Sequence, residues 1–534
     1  MPPIVHFPVN TLALKRGGLV KAVRTRANTL AQNGAVEQIW IEVLGLQLRL
    51  ASDVASLKAD GHLHPDVKVR SVLYGLDPSP GPDIREPVQP PPKDDYDVVP
   101  LGNSGFAFGY FRDGVQEYYV RFQPDGALAA VEHLAPDRTR ILREDMDERG
   151  RLVLVQHFPE ASKTPTARRL IGRNGRCFLT ITQQPGSPKW GRSYLFDGVA
   201  RDDGDALTFA DPAELYRHAF EQLLADEDAP VLTSEFRENL NNLPGRTLDD
   251  AIGSVRHPNL RRIAAVHSNH LEPPYVLGSG VSRNWRRLLE HLDQWDGLVL
   301  HTDAQREDIA AEFGHADRLH TIGQLAPPEQ PAPRASTDQP DQPQLDLPTA
   351  GTAAADPNRL VVVARLHPKK RVDEAIRVFA LVRAGNPQAR LELFGFGYGD
   401  QEEGTIRALI DELGLGAAVD FPPFTNNPAD IYATACATLL TSASEGFPLI
   451  LLESMSFGVP VAAYDANYGP RDVIRHGENG FLAPFGDRQA LADGILDLMR
   501  DPELRSRMAQ ASRDTLKRFD ETGFLTGWTK ALTG

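Results

Sequence analysis

ATLLTSASEGFPLILLESMSFGVPV, residues 437–461, decides the fold. ATLLTSA is an apolar run of strand length, and Glu445 stands just after it. Gly446 and Pro448 make a turn, a helix starts over 449–456, and VPV opens another apolar run. Strand, tight turn, helix, strand is the repeating unit of a parallel sheet with helical crossovers. It places Glu445 at a strand tip and Glu453 a turn or two into the helix. The first N–H groups of a helix have no partner within it, and with the helix dipole they form an anion site. Gly446, Phe447, Pro448 and Leu449 lie at that turn, where a donor molecule would meet backbone. Carboxylates beside such a site are poor phosphate ligands but good acceptors for sugar and ribose hydroxyls. A single Glu near a helix start is common, because acidic residues favour that end; the whole string says more.

Working outward, RLVVVARL (359–366) is a nearly continuous apolar strand. After it the pattern predicts helices at 372–384 and 403–413 and strands at 390–394, 417–420, 437–441 and 459–463, closing with helices at 488–500 and 502–518. Within ARLHPKKR (364–371), Arg365 stands at the strand end, Pro368 delays helix entry, and Lys369 and Lys370 follow. Cations converging at a strand's carboxyl end suit a diphosphate leaving group, whose developing charge they would stabilise. LFGFGYG (393–399) puts Gly395 and Gly397 in a strand-to-helix turn that lets backbone approach a ligand, without matching a dinucleotide fingerprint. FTNNPADIY (424–432), with Thr425 and Asn426, reads equally as a nucleobase loop or a plain surface turn. DANYGPRDVI (465–474) turns through Tyr468 into a helix that could also face the donor.

The amino-terminal half begins with the same rhythm. A strand at 3–8 and a helix at 19–33 flank Gly17-Gly18, where backbone could approach the acceptor or a diphosphate. Strands follow at 40–46 and 68–77, then a stretch rich in Pro and Asp at 79–96. From 97 to about 200 three β-branched and aromatic runs (117–122, 151–158, 177–182) are punctuated by hairpin signals at Pro124-Asp125-Gly126, Glu148-Arg149-Gly150 and Arg173-Asn174-Gly175. They predict an inserted antiparallel β meander. The α/β pattern resumes with strands at 230–236, 261–270 and 296–302 and a helix at 303–314. His267 ends one of these strands, where ligands bind in open α/β sheets, and His270 follows it. The expected organisation is an amino-terminal Rossmann-like domain in two parts (1–96 and 211–325), an inserted β domain (97–210), a linker or loop (326–357) and a carboxyl-terminal Rossmann-like nucleotide-sugar domain (358–534).

Composition narrows the class. With 534 residues, a single core is too small a plan, and the net charge of -15 argues against a nucleic-acid binder. The two cysteines, Cys177 and Cys436, are far apart in apolar runs and read as ordinary buried thiols in a reducing cytoplasm. No apolar stretch has signal-peptide or membrane-spanning length. Asp145-Met-Asp147 and Asp203-Gly-Asp205 match a metal-binding spacing but read as solvated loop acids, and His267-x-x-His270 lacks a third ligand. No metal is expected.

Together these strings resemble the family-four retaining glycosyltransferases of the GT-B class, whose two Rossmann-like domains face each other across a cleft. The likeness covers nearly all of 359–520 and, more loosely, 1–80 and 211–325. It implies that Arg365 and Lys370 bind the donor diphosphate, Glu445 the donor sugar and Glu453 the ribose. His267 joins Arg365, Lys370 and Glu445 as a catalytic candidate, and His270 and Tyr468 are candidates for the acceptor. With the inserted β domain, the chain is most similar to the poly(glycerol/ribitol-phosphate) α-glycosyltransferases of wall teichoic acid, and also to enzymes that add GlcNAc to serine-rich adhesins. The resemblance implies a hexose, glucose or N-acetylglucosamine, carried by UDP onto a polyol-phosphate polymer. It also implies assembly through the insertion as a homo-oligomer such as a trimer, and a place in the cytoplasm, with peripheral contact at the inner membrane face. A protein serine or threonine or another glycan are alternative acceptors. An inactive glycosyltransferase-like chaperone or binding subunit is the alternative of another class.

Overall fold

The computed structural model describes residues 2–12, 18–102, 105–159, 162–184, 189–197, 206–235, 248–327, 356–395, 400–423, 425 and 427–534. The chain divides into two compact units: Met1–Ala265 with Asp293–Gly297 and Leu532–Gly534, and Val266–Leu292 with Leu298–Ala531.

In the first unit, β1 (Ile4–Val9), β2 (Gln38–Val43) and β3 (Lys68–Ser71) are followed, after ten further strands, by β14 (Pro230–Ser234) and β15 (Arg261–Ala265). These five run parallel in the order β15, β14, β1, β2, β3. β1, β2 and β14 are apolar because both faces of a parallel sheet are covered. The intervening strands, β4 (Asp97–Pro100) through β13 (Leu207–Phe209), form one ten-stranded antiparallel sheet laid down in sequence order. Its core holds Tyr110, Val120, Leu128, Val131 and Met146. All three expected hairpin turns are present, and Gly126, Gly150 and Gly175 take φ of 89, 75 and 76°.

Two acids in this sheet depart from expectation. Asp145 and Asp147 are buried, not solvated. Asp145 accepts from Arg143 at 2.6 Å, and Asp147 from Arg151 at 2.7 Å. Asp203 and Asp205 lie outside the described residues. The 79–96 stretch is tied to the sheet: Ile84 N–H donates to the Arg173 carbonyl and Val88 N–H to that of Gly150, while Asp83 pairs with Arg85 and Arg151. Cys436 is buried and Cys177 half-buried, both as free thiols.

In the second unit, β16 (Gly297–Leu300) and β17 (Leu319–Thr321) pair in parallel. Six more parallel strands are β18 (Arg359–Val363), β19 (Arg390–Phe394), β20 (Val419–Asp420), β21 (Ala437–Leu440), β22 (Val461–Tyr464) and β23 (Gly480–Ala483). Their order is β20, β19, β18, β21, β22, β23. The chain starts in the middle, winds outward to one side, then returns to β21 and winds to the other. β18 and β21 therefore flank the switch point, where diverging crossovers leave a crevice at the carboxyl ends of the strands. The helices Val372–Gly385 and Arg488–Arg500 pack on the sheet through Ile376, Phe379, Leu491 and Ile495. Among the described residues, no helix is long and apolar enough to cross a membrane.

Candidate active site

Two strand-end loops meet at that switch point. After β18 the chain runs to a short turn, Pro368–Lys370. The His367 ring accepts the Lys369 N–H at 3.1 Å, and Arg371 then takes φ of 47° to enter the following helix. After β21, Thr441 Oγ1 donates to the Arg371 carbonyl at 2.8 Å and Ala443 N–H to the Lys369 carbonyl at 2.8 Å. These bonds fix the loops against each other and bring Lys370 Nζ to 2.5 Å from Glu445 Oε1. The side chains are 24% and 10% exposed, so the pair is partly shielded from water but reachable.

Glu445 is also held through its backbone. Its N–H donates to the Asn467 carbonyl at 3.1 Å, and its carbonyl accepts the Tyr468 N–H at 2.9 Å. Asn269 Nδ2 donates to the same Asn467 carbonyl at 3.0 Å. At Gly446 a Cβ would collide with the His267 carbonyl, so only glycine lets these two backbones touch. The helix Leu449–Ser456 starts at Pro448, which supplies no side-chain cap. Its Leu451 N–H donates to the Pro448 carbonyl at 3.0 Å, and the Leu449 and Ile450 N–H groups precede it at the helix start, where an anion can bind. Arg365 is exposed at the start of the loop after β18. Burial lowers the His367 pKa, and the charges of Arg365, Lys369 and Lys370 lower it further against an opposing contribution from Glu402. Glu453 is half-buried in the helix. Its charge reaches the buried Tyr432, whose pKa stands well above the ordinary tyrosine value, chiefly through burial.

Other sequence candidates take different places. Phe447 is a core residue, edge-on to Phe519 at 5.6 Å, so only its backbone can meet a ligand. Leu449 is half-buried at the first position of the helix. At Gly395 a Cβ would collide with the Ala364 carbonyl, so the glycine is required by the close approach of two strand ends. The Thr425 hydroxyl donates to Asp430 at 2.6 Å and accepts the Asn427 N–H at 3.0 Å, which closes the loop on itself as a plain turn would. Gly18 is the first residue of the helix Gly18–Gln32. Gly17, Gly397 and Asn426 lie outside the described residues.

His270 and Tyr468 do not offer an acceptor surface. They are 0% and 2% exposed and stack on each other at 5.9 Å with 7° between the rings. Burial pushes the His270 pKa down to about 4, and Tyr468 donates its hydroxyl to Asp308 at 2.6 Å. Rings this buried present no open face to an acceptor, and Tyr468 N–H bonds the Glu445 carbonyl in the loop beside them. Sequence reasoning also missed His301, whose ring faces His267 at 3.0 Å, and Asn467. His301 ends the strand run DGLVLHT as His267 ends IAAV, and that parallel was the available signal. Among the described residues, no group of three or more His, Cys, Asp or Glu could hold a metal ion.

With this geometry in place, comparison with known proteins is specific. Residues 347–515 match the family of group 1 glycosyl transferases. An exopolysaccharide phosphotransferase of Streptomyces coelicolor is 34% identical over 45% of this chain and 23% of its own length. The poly(glycerol-phosphate) alpha-glucosyltransferase of Bacillus subtilis is 23% identical over 78% of this chain and 58% of its own. The chain thus spans well under two thirds of these relatives. Among solved structures, TarM superposes with a TM-score of 0.81 at 17% identity, over 100% of this chain and 99% of its own. An S. aureus TarM variant solved with UDP and alpha-GlcNAc-glycerol gives 0.79 at 18%, over 100% of both chains. The likeness establishes the GT-B fold with its inserted antiparallel sheet, and Arg365, Lys370, Glu445 and Glu453 lie within 347–515, the segment that matches the group 1 glycosyl transferases.

Proposed function

We propose that this chain is a retaining glycosyltransferase that moves glucose or N-acetylglucosamine from a UDP-sugar to a hydroxyl acceptor, a polyol-phosphate polymer. The observation that carries this reading is the Lys370–Glu445 pair at the carboxyl ends of β18 and β21, beside an uncapped helix start. As the anomeric bond breaks, negative charge builds on the leaving diphosphate. Arg365, Lys370 and the N–H groups of the helix start stabilise it, and such fixed dipoles and charges are often the largest catalytic term. Glu445 accepts hydroxyls of the sugar, Glu453 those of the ribose, and the acceptor enters on the face the leaving group vacates, so the anomeric configuration is kept. These cations do the work that a metal does elsewhere, and no metal is required. The acceptor class is supported by the activity of the B. subtilis relative and by the glycerol-linked ligand of the TarM variant. On the same reading the protein acts in the cytoplasm, at the inner membrane face, and assembles with copies of itself through the ten-stranded sheet.

The test is thermal-shift screening with UDP-glucose, UDP-N-acetylglucosamine and UDP, with and without EDTA, since a bound donor stabilises the native state by mass action. Transfer to poly(glycerol phosphate), poly(ribitol phosphate) and a serine-rich peptide follows, with the product anomer read by NMR. Absence of any shift and any transfer would reject the enzyme reading. Transfer to the peptide alone would reassign the acceptor, and an inverted anomer would reject retention.

A further inference from the structure

The two histidines at the ends of neighbouring strand runs constrain each other. His267 Nδ1 lies 3.0 Å from His301 Nε2, with 42° between the rings. His301 Nδ1 lies 2.9 Å from the Ile322 carbonyl oxygen. A carbonyl oxygen only accepts, so His301 Nδ1 carries a proton. In a neutral imidazole the other nitrogen is then bare and accepts. The proton between the rings must therefore belong to His267 Nδ1, which leaves the lone pair of a neutral His267 on Nε2. The His301 ring is well placed to impose this. The residue is 4% exposed, follows β16, and precedes Thr302, whose hydroxyl caps the helix Asp303–Phe313. The His267 backbone abuts Gly446, next to Glu445, so the residue stands beside the loop that carries Glu445.

We propose that His301 is a positioning residue that fixes His267 as the Nδ1–H tautomer, so that His267 Nε2 accepts a hydrogen bond from a substrate hydroxyl. This rests on the sugar-transfer reading for the identity of the hydroxyl, which either the donor sugar or the acceptor supplies; the tautomer itself does not. The test uses the full chain at pH 8 with His301→Gln and His301→Leu. Glutamine can place Oε1 where the imidazole Nε2 stood and still accept from His267, whereas leucine cannot. Ring nitrogen spectra of histidine-labelled protein, assigned by the signal lost in His267→Asn, should show His267 protonated on Nδ1 in the parent and in His301→Gln. In His301→Leu they should show the other tautomer or a mixture. Turnover should survive in His301→Gln and fall by about 10–100-fold in His301→Leu, the usual cost of losing a partner that orients a working histidine. A rise in KM for the UDP-sugar would assign the hydroxyl to the donor, and a rise in KM for the acceptor polymer to the acceptor. Protonation on Nε2 in the parent overturns the proposal, as does His301→Leu with unchanged tautomer and turnover. If the parent transfers no sugar, the functional reading fails, while its nitrogen spectrum still decides the tautomer.

Discussion

Replacing Lys370 with alanine separates what the Lys370–Glu445 pair does for the fold from what it does for transfer. The side chains meet at 2.5 Å and are 24% and 10% exposed, so neither is free surface charge. For unit charges about 4 Å apart, an effective dielectric near 20 gives about 4 kcal/mol. The charge that develops on the leaving diphosphate is a fraction of a unit, so about 2–4 kcal/mol of transition-state stabilisation is at stake. At about 1.4 kcal/mol per decade this is a fall in kcat of about 30- to 1000-fold for Lys370→Ala. The same substitution strands Glu445 in a shielded place, and an unsatisfied charged group there costs about 1–3 kcal/mol of stability. Adding Glu445→Gln removes the stranded charge. Stability should then recover, measured by urea unfolding, while turnover, measured by UDP release with acceptor present, should not. Wild-type kcat in Lys370→Ala would refute the assignment of the cation to the leaving group. Recovery of turnover together with stability in the double variant would show that the lysine acts only by holding the loop.

Three further predictions concern other charges. Glu453→Ala should weaken UDP binding, read by calorimetry, by about 10- to 100-fold, because a charged hydrogen bond to a ribose hydroxyl is worth about 1.5–3 kcal/mol; unchanged affinity would remove its role. Arg26 and Glu235 pair in the first unit at 2% and 0% side-chain exposure, with Nη2 to Oε2 at 2.9 Å. Arg26→Ala should cost about 3–5 kcal/mol in unfolding free energy, since one partner of a buried ion pair is removed, and a loss below about 1 kcal/mol would show that the pair does little to hold the first unit. His6 sits buried between Glu42 and Glu227 at 2.8 Å from each, and although burial opposes it, these carboxylates hold its pKa above the ordinary value. A raised histidine pKa gives stability that is complete below the unfolded value near 6.5 and is lost as pH climbs through the folded one. Hydrogen bonds from His6 and Arg70 hold the Glu42 pKa below the ordinary value against burial, so its contribution is lost as pH falls through that lowered value. Urea midpoints across pH should show that His6→Gln weakens the alkaline decline, and an unaltered profile would discount His6.

How much of this was readable in advance depended on how each residue is satisfied. β18 and β21 were legible because strands covered on both faces are written in near-continuous apolar residues, RLVVV and ATLL. Of the ten strands of the inserted sheet, only runs near three were marked. Strands such as Arg140–Met146, RILREDM, carry charges on a buried face, and Asp145 is paired there with Arg143 and accepts a hydrogen bond from Gln156 across the strands at 2.8 Å. Cross-strand pairing of this kind erases the apolar alternation on which a strand reading depends. The string at 444–461 showed the chemistry of the site, since turn, helix start and carboxylates are local. It could not show that Asn269 and Asn467 hold the Glu445 backbone, or that His270 and Tyr468 bury each other, because those contacts join residues almost 200 positions apart.

The ion pair itself bears on selectivity. Lys370 is already satisfied by Glu445, so an anion that takes the lysine leaves a shielded carboxylate without that partner. Inorganic phosphate or a bare diphosphate offers nothing in return, and a second negative group near Glu445 raises the cost. A sugar nucleotide, bound as proposed, differs in one respect: as its diphosphate draws the lysine, its sugar hydroxyls donate to the carboxylate that the lysine releases. The same exchange orders events along the reaction. On the proposed reading, Lys370 would be drawn furthest from Glu445 when charge on the diphosphate is greatest, and Glu445 would then hold the sugar most firmly, which would favour the transition state over the bound donor. A pairing that would be wasteful in a simple phosphate site is therefore consistent with one that must tell a sugar diphosphate from its own product.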